Sequence, residues 1–272
     1  MDLAAQIARV ASVNLVCIER IRHEAMTAPI RWIAEYGQYQ SGGWWTASLL
    51  NESGDSSDVA IRDCRPIPTT LLQQMPHTRC LLDDLGLRFM WARIARLTAG
   101  SLLWEHRDYD ELESVERHRL HIPLFTNRSA YLVLGGSKVH LRSGHIWKLT
   151  PTFQHGACNL YGPDRFHLIL DCYVDGAFER LTENSELPDG DVEPLPTPSQ
   201  PDLDAHVAIA RQLLELGYAR AAETSLLRLF YWYSLPPGRV YDLTAELYRS
   251  VGRHEEADAW RLRKVTMLGV AS

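Results

Sequence analysis

The sequence lacks any paired-cysteine signature: its five cysteines, at positions 17, 64, 80, 158 and 172, are odd in number, scattered, and form no Cys-x-x-Cys. A disulfide framework is excluded, which fits a reducing compartment. No run of 18 apolar residues is present, and Asp2 and Arg9 stand where a signal peptide would carry its apolar stretch. The expectation is a soluble, cytoplasmic protein with no membrane partner. An excess of positive charge is missing too, since Lys plus Arg is 28 against 34 Asp plus Glu, a formal charge of −6. No basic field is available to attract a phosphate backbone, so no nucleic-acid partner is expected. Disorder is equally excluded, because hydrophobic residues make up 46% and charged residues 23% of the chain. The 272 residues suffice for one large domain or one and a half, at roughly 150 residues per domain.

Periodicity divides the chain. Helical spacing of Ile30, Ile33 and Tyr36 suggests a helix within 21–39, following Pro29. After Ser41-Gly42-Gly43-Trp44-Trp45, the turn-rich polar segment 51–58, a loop beside two tryptophans, reads as a surface turn or the rim of a pocket. Residues 67–86 look helical, with Leu71, Leu72, Met75, Leu81 and Leu82 on one face. From Leu87 the period becomes two, and strands are expected at 87–97, 101–108, 117–126, 130–134, 138–142, 145–149 and 165–173. Glycine-rich turns separate them, which predicts an antiparallel sandwich or barrel. Residues 187–202, rich in proline, read as a linker or an extended wrap between a β domain at 1–186 and a helical domain at 203–272. Helices are expected at 203–216, 219–233, 240–250 and 254–267, forming two hairpins similar to single tetratricopeptide-type units.

Chemistry concentrates in the strands. His106 and Asp108 are two apart, share a strand face, and can grip one cation together. With a third ligand they would make the facial triad of non-haem Fe(II) oxygenases. His155, just past a strand and a turn at Pro151, is the candidate. Ten residues on, Arg165 opens the last strand, and a guanidinium suits the bidentate grip of an oxo-acid carboxylate. Arg117, Arg119 and His121 share another strand face, costly to bury without an anionic ligand. Arg93 beside Trp91 pairs charge with an aromatic surface, as an amino-acid carboxylate with an apolar body requires. By contrast His140, His145 and His167 read as strand-face or surface histidines, Cys158 as a small buried hydrophobe, and Tyr231, Trp232 and Tyr233 as helix packing.

His106-Arg107-Asp108-Tyr109, Arg117-His118-Arg119-Leu120-His121, Gly144-His145-Ile146-Trp147, His155 and Arg165 occur in the order seen in the aspartyl/asparaginyl β-hydroxylase superfamily, which the chain resembles. Within it, the bacterial proline 3-hydroxylase and cis-4-hydroxylase group is closest in pattern. The tryptophan-led, Gly-Asp-containing segment 45–55 and the helical tail are also similar to that group. The resemblance implies a double-stranded β-helix (jelly-roll, cupin-like) with N-terminal helices and a C-terminal helical region. It implies an Fe(II)- and 2-oxoglutarate-dependent dioxygenase using O2, with His106, Asp108 and His155 as iron ligands. Arg165 would bind the distal carboxylate of 2-oxoglutarate, and His121 would contact the same cosubstrate. Arg93 and Arg119 would hold the substrate carboxylate, with Arg117 and Trp45 as further substrate candidates. Asp108 sides the chain with the bacterial amino-acid enzymes, because the animal β-hydroxylases lack the acidic ligand, and it leaves no open position for the chloride of a halogenase. Two departures bear on the substrate: Thr150 stands where the proline enzymes have Asp, and Leu50 replaces a tryptophan.

The implied activity is hydroxylation of a free L-amino acid, cyclic like proline or pipecolate, in peptide natural-product biosynthesis. The alternatives are the same chemistry on an acyclic, carrier-tethered or protein-bound amino acid, and a non-catalytic cupin-like scaffold. A carrier protein or a second copy of the chain are the partners these readings allow.

Overall fold

The computed structural model describes residues 2–35, 37, 39–108 and 115–269, so Tyr36 and Tyr109 of the motifs above lie outside the described residues. In chain order the N-terminal part runs α1 (Leu3–Gln6), β1 (Ile7–Ser12), α2 (Leu15–Thr27), β2 (Ile33–Ala34), β3 (Trp44–Asn51), β4 (Ile67–Pro68), α3 (Thr70–Gln73) and α4 (Pro76–Leu85). The central part is β5 (Phe89–Leu97), β6 (Ser101–His106), β7 (Arg117–Phe125), β8 (Ala130–Leu134), β9 (Ser137–Val139), β10 (His145–Leu149), β11 (His155–Asn159) and β12 (Arg165–Tyr173). Then follow α5 (Gly176–Thr182), β13 (Val192–Pro194), α6 (Gln200–Glu215), α7 (Ala219–Leu227), α8 (Arg239–Ser250) and α9 (His254–Leu268).

The strands form two antiparallel sheets. The larger has the order β1-β10-β7-β12-β5-β3-β2, with β4 on β3, and the smaller the order β13-β9-β8-β11-β6. This is the jelly-roll of a double-stranded β-helix, mainly β with flanking helices, as the resemblance implies.

Side-chain alternation sorts the residues into three cores. Ala92, Ile94, Leu120, Ile122, Leu168 and Leu170 point to the outer face of the large sheet, where Ile18 and Ile21 of α2 and Leu81 of α4 cover them. Their neighbours in sequence point inward, so Ala95, Leu97, Ile169 and Trp147 meet Leu103, Leu132 and Ala157 of the small sheet. The outer face of the small sheet, through Leu102, Trp104, Tyr131 and Cys158, packs on α6 to α9. At about 25 cal/mol per Å² of apolar surface removed from water, each such large side chain contributes roughly 1.5–3 kcal/mol. Among the described residues no helix is long and apolar enough to cross a membrane.

Several local expectations differ from the structure. The helix expected after Pro29 lies before it: α2 starts on the Asn14 cap and ends at Ala28, whose ψ of 147° is extended, because proline clashes with a helical predecessor. Residues 33–34 instead pair with β3. The two tryptophans lie on a strand that was not expected, β3, paired with β5 in the large sheet. Residues 67–86 are not one helix; Pro76 opens α4 at its first turn and Gly86 closes it with φ 61°, the left-handed conformation glycine takes without strain. β1 and β11 were not expected, and β9 is shorter and earlier than 138–142. Within the proline-rich stretch, Val192–Pro194 pairs with β9. This segment is therefore part of the small sheet rather than a free linker, and α6 begins at Gln200 on a Ser199–Asp202 capping box.

Met75 gives α4 no side-chain cap; the buried carboxylate of Glu24 in α2 takes that role. It accepts from the backbone N–H of His77 (2.6 Å) and Thr78 (2.9 Å) and from the Thr78 hydroxyl (2.7 Å). Glu24→Ala should therefore lower unfolding free energy by about 1–3 kcal/mol, measurable in urea, while leaving metal binding unchanged.

Candidate active site

His106, Asp108 and His155 converge between the sheets, all buried, with one ligand atom from each within 4.8 Å of the others. β11 pairs with β6 so that His155 stands opposite His106, and Asp108 follows the end of β6. The Nε2 atoms of His106 and His155 lie 3.5 and 3.6 Å from the Asp108 carboxylate. Each imidazole turns its Nδ1 to a backbone carbonyl, His106 to that of Trp104 at 2.6 Å and His155 to that of Phe153 at 2.8 Å. With Nδ1–H donated outward, both Nε2 lone pairs face the acid, which is how a protein orients imidazoles for a metal.

Protonation states agree with that role. Burial, aided by nearby His106, pushes His155 down to about 4, so it is neutral at physiological pH. Burial alone would raise the carboxyl of Asp108, but Arg119, then His106, hold it well below the usual carboxylate range. Two imidazoles and one carboxylate, with ligand atoms within 4.8 Å of one another, fit a divalent iron and would leave its other positions for small ligands.

The rest of the cavity is cationic. Ile169 of β12 stands between Arg93 of β5 and His121 of β7, and Asp171 stands between Trp91 and Arg119. Arg119 donates through Nε to Asp171 (3.0 Å) and through a terminal nitrogen to Asp108. Arg93 lies over the Trp91 ring, 3.8 Å from its centroid. Arg165 is 4% exposed; the neutral ring of His167 backs its guanidinium, with nitrogens 3.0 and 2.9 Å away. Burial pulls Arg165 down to about 10, so it remains charged at neutral pH. Burial, then Arg165, keeps His121 well below its usual value, and its Nε2 has no hydrogen-bond partner among the described residues.

The structure brings His106, Asp108, His155, Arg165, His121, Arg93 and Arg119 to one cavity. It does not bring Trp45 or Arg117 there. Trp45 lies on the opposite face of β3, opposite Arg96, and its neighbour Trp44 lines the cavity, because successive strand residues alternate. Arg117 is buried beside Tyr173 at the start of β7, outside the cavity lining. Two contributors were missed. His167 is not on a surface but 1% exposed behind Arg165, and Asp171, at 0%, anchors Arg119. The signal was present: both lie on the same face of β12 as Arg165, at spacings of two and six.

A family model for aspartyl/asparaginyl beta-hydroxylase matches residues 18–174. L-proline cis-3-hydroxylase 2 of Streptomyces sp is 28% identical over 233 residues, covering 80% of this chain and 79% of the relative. L-proline cis-3-hydroxylase 1 of Streptomyces sp is 31% identical over 152 residues, covering 53% and 52%. A solved 2OG-Fe(II) oxygenase-family oxidoreductase from Burkholderia pseudomallei aligns with a TM-score of 0.44 at 13% identity, over 57% of this chain and 78% of the other. The chain belongs to the aspartyl/asparaginyl β-hydroxylase family. It is a 2-oxoglutarate-dependent dioxygenase with iron as its metal, similar to the proline hydroxylase-like group.

The alternation along β3 separates the two tryptophans experimentally. Trp44→Ala is expected to lower kcat/KM by about tenfold or more by enlarging the cavity. Trp45→Ala, measured per folded molecule, should stay within about twofold of the parent.

Proposed function

We propose that the enzyme hydroxylates a free, compact L-amino acid, cyclic like proline or pipecolate, as a step in making a peptide natural product. The observation that carries this reading is the charge of the cavity. Arg165 is buried with no carboxylate paired to it among the described residues. Arg93 and Arg119 face the same space, walled by apolar Trp44, Leu103, Leu132 and Leu149. A buried guanidinium calls for an anion, and the cavity has places for two carboxylates. Both carboxylates would have to be held within this one set of lining residues, beside the three metal ligands, which favours a compact amino acid.

In this reading His106, Asp108 and His155 hold Fe(II). Bound iron, with 2-oxoglutarate and O2, supplies an oxidant that converts C–H to C–OH while the cosubstrate becomes succinate and CO2. The protein's part is placement. Arg165, kept in position by His167, grips the far carboxylate of 2-oxoglutarate, and the free Nε2 of His121 is a polar contact along it. Arg93 and Arg119 grip the substrate carboxylate, and the apolar walls exclude water and choose which carbon faces the metal. Asp171 keeps the Arg119 guanidinium from turning wholly onto Asp108, so the carboxylate retains electron pairs for the metal.

The test is turnover of a panel of free amino acids by the Fe(II)-loaded enzyme with 2-oxoglutarate in air. Succinate and a mass gain of one oxygen on proline or pipecolate, formed in equal amounts, are expected. Succinate with no hydroxylated free amino acid would move the substrate to a carrier-tethered or larger amino acid. No succinate above an Asp108→Ala control would leave a non-catalytic binder. Arg165→Ala is expected to raise KM for 2-oxoglutarate at least about tenfold, and Arg165→Lys to restore it only in part, because a point charge lacks the planar two-pronged grip.

A further inference from the structure

His106 points into the cavity because β6 breaks its alternation. Leu103 faces His106's own side, since both line the cavity, yet residues three apart on a regular strand point to opposite faces. The register shows the cause. His106 stands opposite His155 and Leu103 opposite Ala157, so three steps on β6 match two on β11. One extra residue is accommodated as a bulge, a device that re-aims a side chain and disrupts the local ladder. Trp104 packs outward among the tail helices. Glu105 sends its buried carboxylate to the backbone N–H of Gly238 at the start of α8, 2.9 Å away.

A bulge leaves buried carbonyls that need donors. The carbonyl of Leu103 accepts from the Tyr231 hydroxyl, which also lies 3.2 Å from that of Ala157. The carbonyl of Trp104 faces His106 Nδ1, and that of Glu105 accepts from the Tyr241 hydroxyl at 2.5 Å. Both tyrosines come from the helical tail, at most 1% exposed, and burial keeps both protonated. Space for Tyr231 comes from Gly156, next to His155: a Cβ there would sit 2.7 Å from the tyrosine oxygen and from Phe230. At the far end of the motif, the Arg107 N–H donates to the Met267 carbonyl in the last turn of α9 (2.8 Å).

We propose that Tyr231 and Tyr241 are positioning residues for the metal ligand His106, their hydroxyls holding the β6 bulge that turns its imidazole into the cavity. The helical tail is on this account a working part of the metal site rather than a separate module; the inference rests on the His106, Asp108, His155 reading above.

The test titrates Co(II) into the full-length metal-free protein, followed by its visible absorption, for Tyr231→Phe, Tyr241→Phe and the double variant. Phenylalanine keeps the ring and removes only the donor. The Tyr248→Phe control removes a tail hydroxyl that bonds the Glu223 carboxylate (2.7 Å) rather than a carbonyl of the bulge. Expected is a Co(II) Kd raised about 10–100-fold in the double variant, as for other groups that orient metal ligands, and severalfold in each single one. The Co(II) spectrum should change with it, while Tyr248→Phe loses thermal stability without moving Kd. Should the double variant not fold, the single variants decide. Unchanged Kd and spectrum in the folded tyrosine variants would overturn the proposal. Wild-type affinity that is equal in Asp108→Ala would remove the triad reading itself, and the proposal with it.

Discussion

A single extra residue in β6 sets the register on which the site depends. Strand geometry gives each side chain a face, and a slip of one residue exchanges the faces. Regular continuation from Leu103 would turn Glu105 inward and His106 outward, putting an acid in the cavity and the imidazole among the tail helices. With the bulge, His106 meets His155 across the β6–β11 pair and Trp104 joins the outer core. The small sheet, the tail packed against it and the glycine at 156 are consistent with one arrangement of this short segment.

The second constraint is charge. A sheet interior with Arg93, Arg119 and Arg165 all nearly inaccessible would be unfavourable without compensation. Compensation is divided. Asp108 and Asp171 share Arg119, Trp91 offers its ring to Arg93, and Arg165 leans on a neutral histidine. What remains is a positive field, which adds to burial in keeping His121 neutral. The cavity is thus prepared for anions before any ligand arrives, which is how binding energy is released for orientation rather than spent on rearrangement.

Much of this was legible along the chain. The period of two from Leu87 onward located the central strands, because a half-buried sheet imposes its alternation on the sequence. His106, Asp108, His155 and Arg165 stood out by residue type and order, and the resemblance they carry supplied the jelly-roll. Less legible were elements whose signal is weak or shared. β11, His155-Gly156-Ala157-Cys158-Asn159, is buried along its length and shows no alternation of polarity. β3 carries two adjacent tryptophans, and nothing in that pair says which faces inward; pairing with β5 decides for Trp44. His167 looked like an ordinary strand histidine until its burial behind Arg165 was known.

The sequence by itself determined the local periods, the helix caps and breaks at Asn14, Pro29 and Pro76, and the kinds of side chain available for iron and carboxylate chemistry, since these depend on neighbours a few residues away. Tertiary structure decided which of those side chains meet. His106 and His155 lie 49 positions apart in the chain and are brought opposite each other by strand pairing. The tyrosines that satisfy the bulge come from beyond residue 230, and Arg119 finds Asp171 only because β7 and β12 are neighbours. Contacts between distant segments depend on sheet order and register, and those follow from the packing of the entire chain rather than from any stretch of it.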